Sequence, residues 1–568
     1  MLKNMMLIKF FKVIISNGRL TFLVLVILFS GCSQKFIEPE ESSSPARARL
    51  LSAQQYINTI AYVFGEDISA SIISPLPPLI RTDGLLASGA SVAGITSDQV
   101  QQLQQVASSV AKKVVDEEHR HFLIPCVPAD LSQSDDSCAT IFLRKTARLL
   151  YRRTIDEDDL ESLVTIAAAA ANQMGDFYIG LGIALESILI SPEVLFIIDS
   201  TEPDPDNLGQ ERLDSYALAS RLSFFLWNSP PDDLLLTAAE NGDLHTQQGL
   251  RNAVNRMLKS SRLETGMRAF FDDMLAFNEF ESLAKDPVAY PMVTGATLAD
   301  AREQTLRTIV DHLLDRDLDY RDLFTTRDTF MSMNLGSVYG VPVVDGWQPY
   351  SFPENSPRQG LLTHVSFLAA HSHAVRSSPT LRGRALRELL LCQKVPDAPP
   401  NVDFSAIEDA GDVPTARERL MIHSTTPSCA GCHLITDPMG LSLENFDGAG
   451  FYREMENGVT LDISGELDGS FYNDLKGLTT AMRNHPKLSY CLVKRLYAYG
   501  TGGAVSLRYD RDILAYFEEG FVKQGYKLTS LLSDIALSRA FSKVRTEPFS
   551  GSLISVTSDL PVKLETIP

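Results

Sequence analysis

Cys429-Ala430-Gly431-Cys432-His433 places two thiols three positions apart and an imidazole directly after the second. At that spacing each thiol can add to one vinyl group of a porphyrin, and the histidine then offers a ring nitrogen to the iron from one face. This is the pattern to which haem c is attached, and the thioethers keep the cofactor from leaving. Three other chemistries use C-x-x-C: a redox dithiol, half of a zinc site and a plain disulfide. No strand, helix and strand pattern of the thioredoxin kind surrounds the motif, and no second C-x-x-C or histidine pair follows at zinc spacing. Haem leads these readings, and the others stay open.

The element that must hold the motif is a short helix. Ser424 to Pro427 reads as its start, with a hydroxyl to cap free amides and a proline tolerated in the first turn. Asp437-Pro438-Met439-Gly440 reads as its stop. Met439 lies too close to His433 to reach the opposite face of a macrocycle. His423, His371 and His373 are the possible sixth ligands, with His485, Met455 and Met482 behind them, and none has a decisive spacing. Without a sixth ligand the iron would be open to a diatomic or a peroxide. Arg382 and Arg453 are candidates to hold haem propionates, because a guanidinium meets a carboxylate at two points; surface ion pairing is the competing reading.

The first residues are read as a leader. Lys3, Lys9, Lys12 and Arg19 precede an apolar run from Leu20 to Phe29, which meets Ser30-Gly31-Cys32. The run is too short for a permanent span. Small residues before this cysteine resemble the lipobox of bacterial lipoproteins, which implies cleavage after Gly31 and a lipid on Cys32. The expected location is the cell envelope, lipid-anchored, with Ser33 favouring the outer membrane and a domain facing the periplasm or the cell surface. Of the seven cysteines, the lipid and haem readings leave four. In an oxidising compartment these are expected to pair as Cys126 with Cys138, across a short loop, and Cys392 with Cys491, across the haem segment.

The residues around the motif resemble a known family. Cys429-x-x-Cys432-His433, Asp437-Pro438-Met439-Gly440, Leu443 to Asp447, Gly450 and Arg453 are similar to the haem-type segment of exported bacterial proteins built from serial domains of unknown function 1587, 1595, 1592, 1588 and 1585, described as cytochrome-c-like. Arg358 to Leu362, Ser378-Pro379, Arg382-Gly383 and Pro399 to Val402 resemble the opening of that segment. Tyr216 to Trp227 with Pro230-Pro231-Asp232 resembles the central domain, and Arg152-Arg153 with Ser187 to Pro192 the domain before it. Leu50-Leu51-Ser52 with Tyr56 to Thr59 resembles the first domain. Cys491, Arg495 to Gly500 and Ser538 to Phe541 resemble the last. Thr501-Gly502-Gly503 departs from the family, in which Gly-Arg usually follows.

Length and charge bound the rest. The chain has 568 residues and 51 Lys plus Arg against 71 Asp plus Glu, a net charge of −20, with no basic stripe, so no nucleic-acid partner is expected. At roughly 150 residues per domain this is about three to four globular units. Apolar residues recur at three and four positions from Ala139 to Gln173, Phe177 to Ile198 and Leu213 to Trp227, and Asp232-Asp233 restarts a helix. The expected fold is mainly α and multi-domain, with a C-terminal c-type haem segment and one small β-hairpin near Val459 to Gly465. The expected parts are a leader at 1–31, a tether at 32–49, helical domains at 50–138, 139–204 and 205–345, the haem segment at 346–470 and a helical domain at 471–568. No H-E-x-x-H, phosphate loop or G-x-S-x-G elbow is present. Glu117 to His121 and Asp156 to Asp159 read as solvated helix ends. The expected function is electron transfer with a redox partner of the envelope. An open-iron haem oxidoreductase and a non-haem envelope scaffold are the alternatives.

Overall fold

Helices form where the capping residues and periodicity place them in a computed structural model, which describes residues 37–545 except 71, 73–75, 344, 398–412 and 426. Cys32 and the leader lie outside the described residues, as does the side chain of His423. Ser52 and Thr96 open the helices Ala53–Phe64 and Ser97–Val115 with reciprocal capping boxes to Gln55 and Gln99. The apolar run after Cys138 is two helices, Asp136–Tyr151 and Glu157–Met174, broken where Arg152 turns left-handed at φ 60°. These four pack with Phe177–Leu189 around an N-terminal core that includes Leu103, Phe142 and Leu185.

The helix Ser215–Trp227 is buried on every side from Ala217 to Trp227. Asp232 restarts the chain as expected, its carboxylate accepting the Leu235 amide at 2.9 Å. The second core joins this helix to Arg262–Met274, to Met439, Leu443 and Phe446 after the cysteine motif, and to the C-terminal helices Pro486–Thr501, Arg511–Lys523 and Leu528–Leu537. One core therefore runs through four of the stretches separated in the sequence, Leu85 entering it from the first, and the described residues from Glu38 onward form one compact unit. Both expected disulfides are present, Cys126–Cys138 and Cys392–Cys491. No described helix is long and apolar enough to cross a membrane.

Two expectations need correcting. The stretch read as a tether up to Arg49 is part of the fold from Ser42, because Ser44–Pro45 and Ala48–Leu50 are strands and Ser44 is fully buried. The β content also exceeds one hairpin. A four-stranded sheet has the order Ser44–Pro45, Lys543–Arg545, Glu211–Leu213, Thr201–Pro203, its first pair parallel with Ser44 opposite Val544. Beneath it Arg221, fully buried, donates to Ser44 Oγ, the Phe541 carbonyl and Asp199 Oδ2. Two hairpins lie after the motif, Met455–Glu456 with Val459–Thr460 and Gly465–Leu467 with Ser470–Tyr472.

One arrangement occurs twice. Three helices, a serine, a one-turn helix and a strand follow each other from Asp136 to Ile198 and again from Pro486 to Arg545. Each copy has a disulfide cysteine on its first helix, Cys138 and Cys491, and ends that helix in a left-handed residue, Arg152 and Gly502.

Candidate functional site

Cys429, Cys432 and His433 sit on one helix, Pro427–Leu441. The two cysteines are half-buried and one helical turn apart. The Cys432 thiol donates to the Pro396 carbonyl at 3.5 Å. The helix does not stop at Asp437 to Gly440 as expected but continues through Pro438. Proline has no amide hydrogen, so the ladder loses its bond to the Leu434 carbonyl, and an adjoining helix holds the turn together.

That helix is Pro379–Ala385, which tightens the crossing with two glycines. A Cβ on Gly383 would fall 1.9 Å from the Thr436 carbonyl oxygen, and one on Gly440 1.7 Å from the Pro379 carbonyl oxygen. Only bare backbone fits at either point. The following turn, Leu386–Leu390, brings Arg387, whose Nε donates to the Ile435 carbonyl on the motif helix.

His433 Nδ1 lies 2.8 Å from Asp437 Oδ2, one turn further along. Asp437 is itself fixed from the crossing helix, its Oδ1 accepting the Thr380 hydroxyl at 2.8 Å. The bond to Asp437 raises the imidazole pKa above its usual value, with burial acting in the opposite direction. In the neutral ring, a proton on Nδ1 puts the lone pair on Nε2. Metal-bound histidines use this arrangement, donating the other ring N–H to a carboxylate that fixes tautomer and orientation.

The two arginines read as propionate partners are brought together, but on an internal acid. Arg382 is fully buried and donates to the carbonyls of Leu443, Phe446 and Leu368, with Glu444 Oε1 at 3.4 Å. Arg453 donates to Glu444 Oε2 at 2.8 Å and to the Glu444 carbonyl at 2.9 Å. Burial raises the Glu444 pKa and the two guanidinium groups oppose that rise. Both arginines thus brace the chain that leaves the motif helix.

The loop with His371 and His373 packs by the same end. His371 sets its ring edge-on to Phe367 at 4.9 Å, and burial, then Arg382 and Lys285, hold its pKa down at about 4. Lys285 donates to the carbonyls of Ser372 and His373. Among the weaker candidates, Met482 and Met439 are fully buried, Met455 lies on a hairpin, and His485 Nε2 meets Asp468 Oδ2 at 3.1 Å. No group of three or more His, Cys, Asp or Glu side chains is placed to hold a metal ion among the described residues.

Sequence reasoning missed Asp437 as the partner of His433. The i, i+4 spacing was the available signal. It also missed Thr380, Glu444 and Arg387, which the fold brings from other segments and for which local spacing offers no sign.

Comparison with known families gives three matches in chain order. Residues 138–199 match the protein of unknown function DUF1595, residues 213–341 match DUF1592, and residues 358–456, which contain the motif, match DUF1588, whose model carries the short name PSCyt3. No curated protein and no solved structure matches the chain.

Proposed function

We propose that this chain, which matches the models of DUF1595, DUF1592 and DUF1588 in series, is a cell-envelope lipoprotein with haem c on Cys429 and Cys432, acting in electron transfer. The observation that supports this most directly is the pair of half-buried cysteines one turn apart beside a histidine held through Nδ1 by a carboxylate. That donor set fits haem c. When bound, the group supplies a one-electron iron couple. The chain's own residues do the rest. Cys429 and Cys432 hold the porphyrin covalently, His433 offers Nε2, and Asp437 with Thr380 keeps that ring in one orientation. The Cys392–Cys491 bridge ties the segment before the motif to the C-terminal helices.

In this reading the leader is removed after Gly31, Cys32 carries the lipid that anchors the protein to the outer membrane, and the helical region ahead of the motif docks a redox partner of the envelope. The test is a haem-stained denaturing gel and an intact mass of the natively exported protein. Stain and the added mass of one haem are expected, and both should vanish in C429A/C432A. A mass explained by polypeptide and lipid alone, or stain that survives the double substitution, overturns the proposal. A low-spin absorbance spectrum accompanies electron transfer; a high-spin band that moves with cyanide would favour catalysis at an open iron.

A further inference from the structure

An open cleft of about 840 Å³ lies beside the motif helix, between the hairpin Gly465–Leu467/Ser470–Tyr472 and the helices Leu475–Asn484 and Pro486–Thr501. This is the size range of small-molecule sites, about 300–1,000 Å³. One residue separates it from the motif. Arg387 donates to the Ile435 carbonyl with Nε, to Gln393 with Nη1 and to Asp468 with Nη2, and Gln393 and Asp468 line the cleft.

Its lining is formally neutral, two lysines against two aspartates, where the molecule as a whole is strongly acidic. In a chain of net charge −20, the cleft carries exposed Lys476 and Lys487. Lys487 also rests its ammonium over the Tyr490 ring at 4.5 Å. The two lining acids are already engaged. Asp468 accepts from Arg387, Gln393 and His485, and Asp474 caps the Gly477 amide at 2.7 Å. Two helices begin at the cleft, after Asp474 and after His485, and each is capped from within the chain, the Gly477 amide by Asp474 and the Lys487 amide by His485 Nδ1. The remaining feature is apolar. At the hairpin turn, where Asp468 and Gly469 both take positive φ, Phe471 is held 81% exposed on the cleft wall. A large ring kept in water beside lysines is suited to stacking on another flat ring.

We propose that this cleft binds a small aromatic carboxylate, its ring against Phe471 and its carboxylate between Lys476 and Lys487. The site stands apart from the haem reading, because binding is measured whether or not haem is attached. The probe is 2-naphthoate, titrated calorimetrically into the full mature chain, with the neutral 2-naphthamide as the comparison. Saturable binding of the acid at one site is expected, with the amide at least tenfold weaker. K476A/K487A should weaken the acid at least tenfold and leave the amide unchanged, and F471A should weaken both. All three positions are exposed, and an unchanged melting temperature will establish that the variants fold. No saturable binding, equal affinity for acid and amide, or full affinity in K476A/K487A overturns the proposal. The haem-stained gel is unaffected by any of these results.

Discussion

At the scale of single residues, the polar side chains inside this protein are held by partners that are distant in sequence. His364 is an example. It is fully buried, with Nδ1 2.9 Å from Thr305 Oγ1 and Nε2 3.4 Å from Thr329 Oγ1, and burial, then Arg358, push its pKa down to about 3. An unfolded histidine titrates near 6.5. Between those values the unfolded chain takes up a proton that the folded chain refuses, so stability falls as the pH drops below about 6.5, by up to about 1.4 kcal/mol per unit. Urea unfolding at pH 7, 6 and 5 should therefore give a shallower decline in H364Q than in the natural chain; parallel declines would show that His364 is not held neutral. The same dependence on distant partners explains what could be read from sequence. Cys429, Cys432 and His433 were legible because their spacing is local. The placing of Arg382 and Arg453 on Glu444 was not, since nothing near either arginine announces a buried acid.

At the scale of elements, the motif helix depends on a crossing that only glycine permits. Gly440→Ala would press a methyl into the Pro379 carbonyl, and overpacking of this kind costs about 2–3 kcal/mol. Thermal melts should show that loss, and if haem is attached as proposed, its loading should fall with it. A melting temperature within a degree of the natural chain would mean that the two helices part without penalty. Helices of this length were legible from caps and period, as at Asp232. Their continuation past Pro438 was not, because a proline stop is a local rule and the crossing helix overrules it. Two- and three-residue strands such as Ser44–Pro45 carry no period, and their partners lie far along the chain. Arg49 lies against Gly502 and Arg47 against Gly503, so the amino-terminal segment brings guanidinium groups to that turn.

At the scale of the whole molecule, the segments 213–341 and 358–456 matched by separate family models share one core, the segment 138–199 packs in the other, and Ser44–Pro45 meets Lys543–Arg545 in one sheet. The repeated three-helix arrangement places one copy near each end, and its strands, Phe196–Ile198 and Lys543–Arg545, pair with Ala48–Leu50 and Ser44–Pro45. The repeat is one of geometry, with a cysteine on the first helix and a serine before the one-turn helix in common, and no fixed sequence period marks it. A chain ending at 542 loses Lys543–Arg545 and with it the Arg545 pairing to Asp510. Limited proteolysis should then cut near residues 42–50, which a chain ending at 545 protects; equal protection would mean that the first strand is held without the last. The pairing of Ser44 with Val544 also sets an order of events. If the chain is exported amino end first, as proposed, that edge would wait for its neighbour until Val544 had crossed. Cys429 and Cys432 would emerge earlier, so enzymes that attach the proposed cofactor would meet them on a chain whose first strand has yet to be fastened.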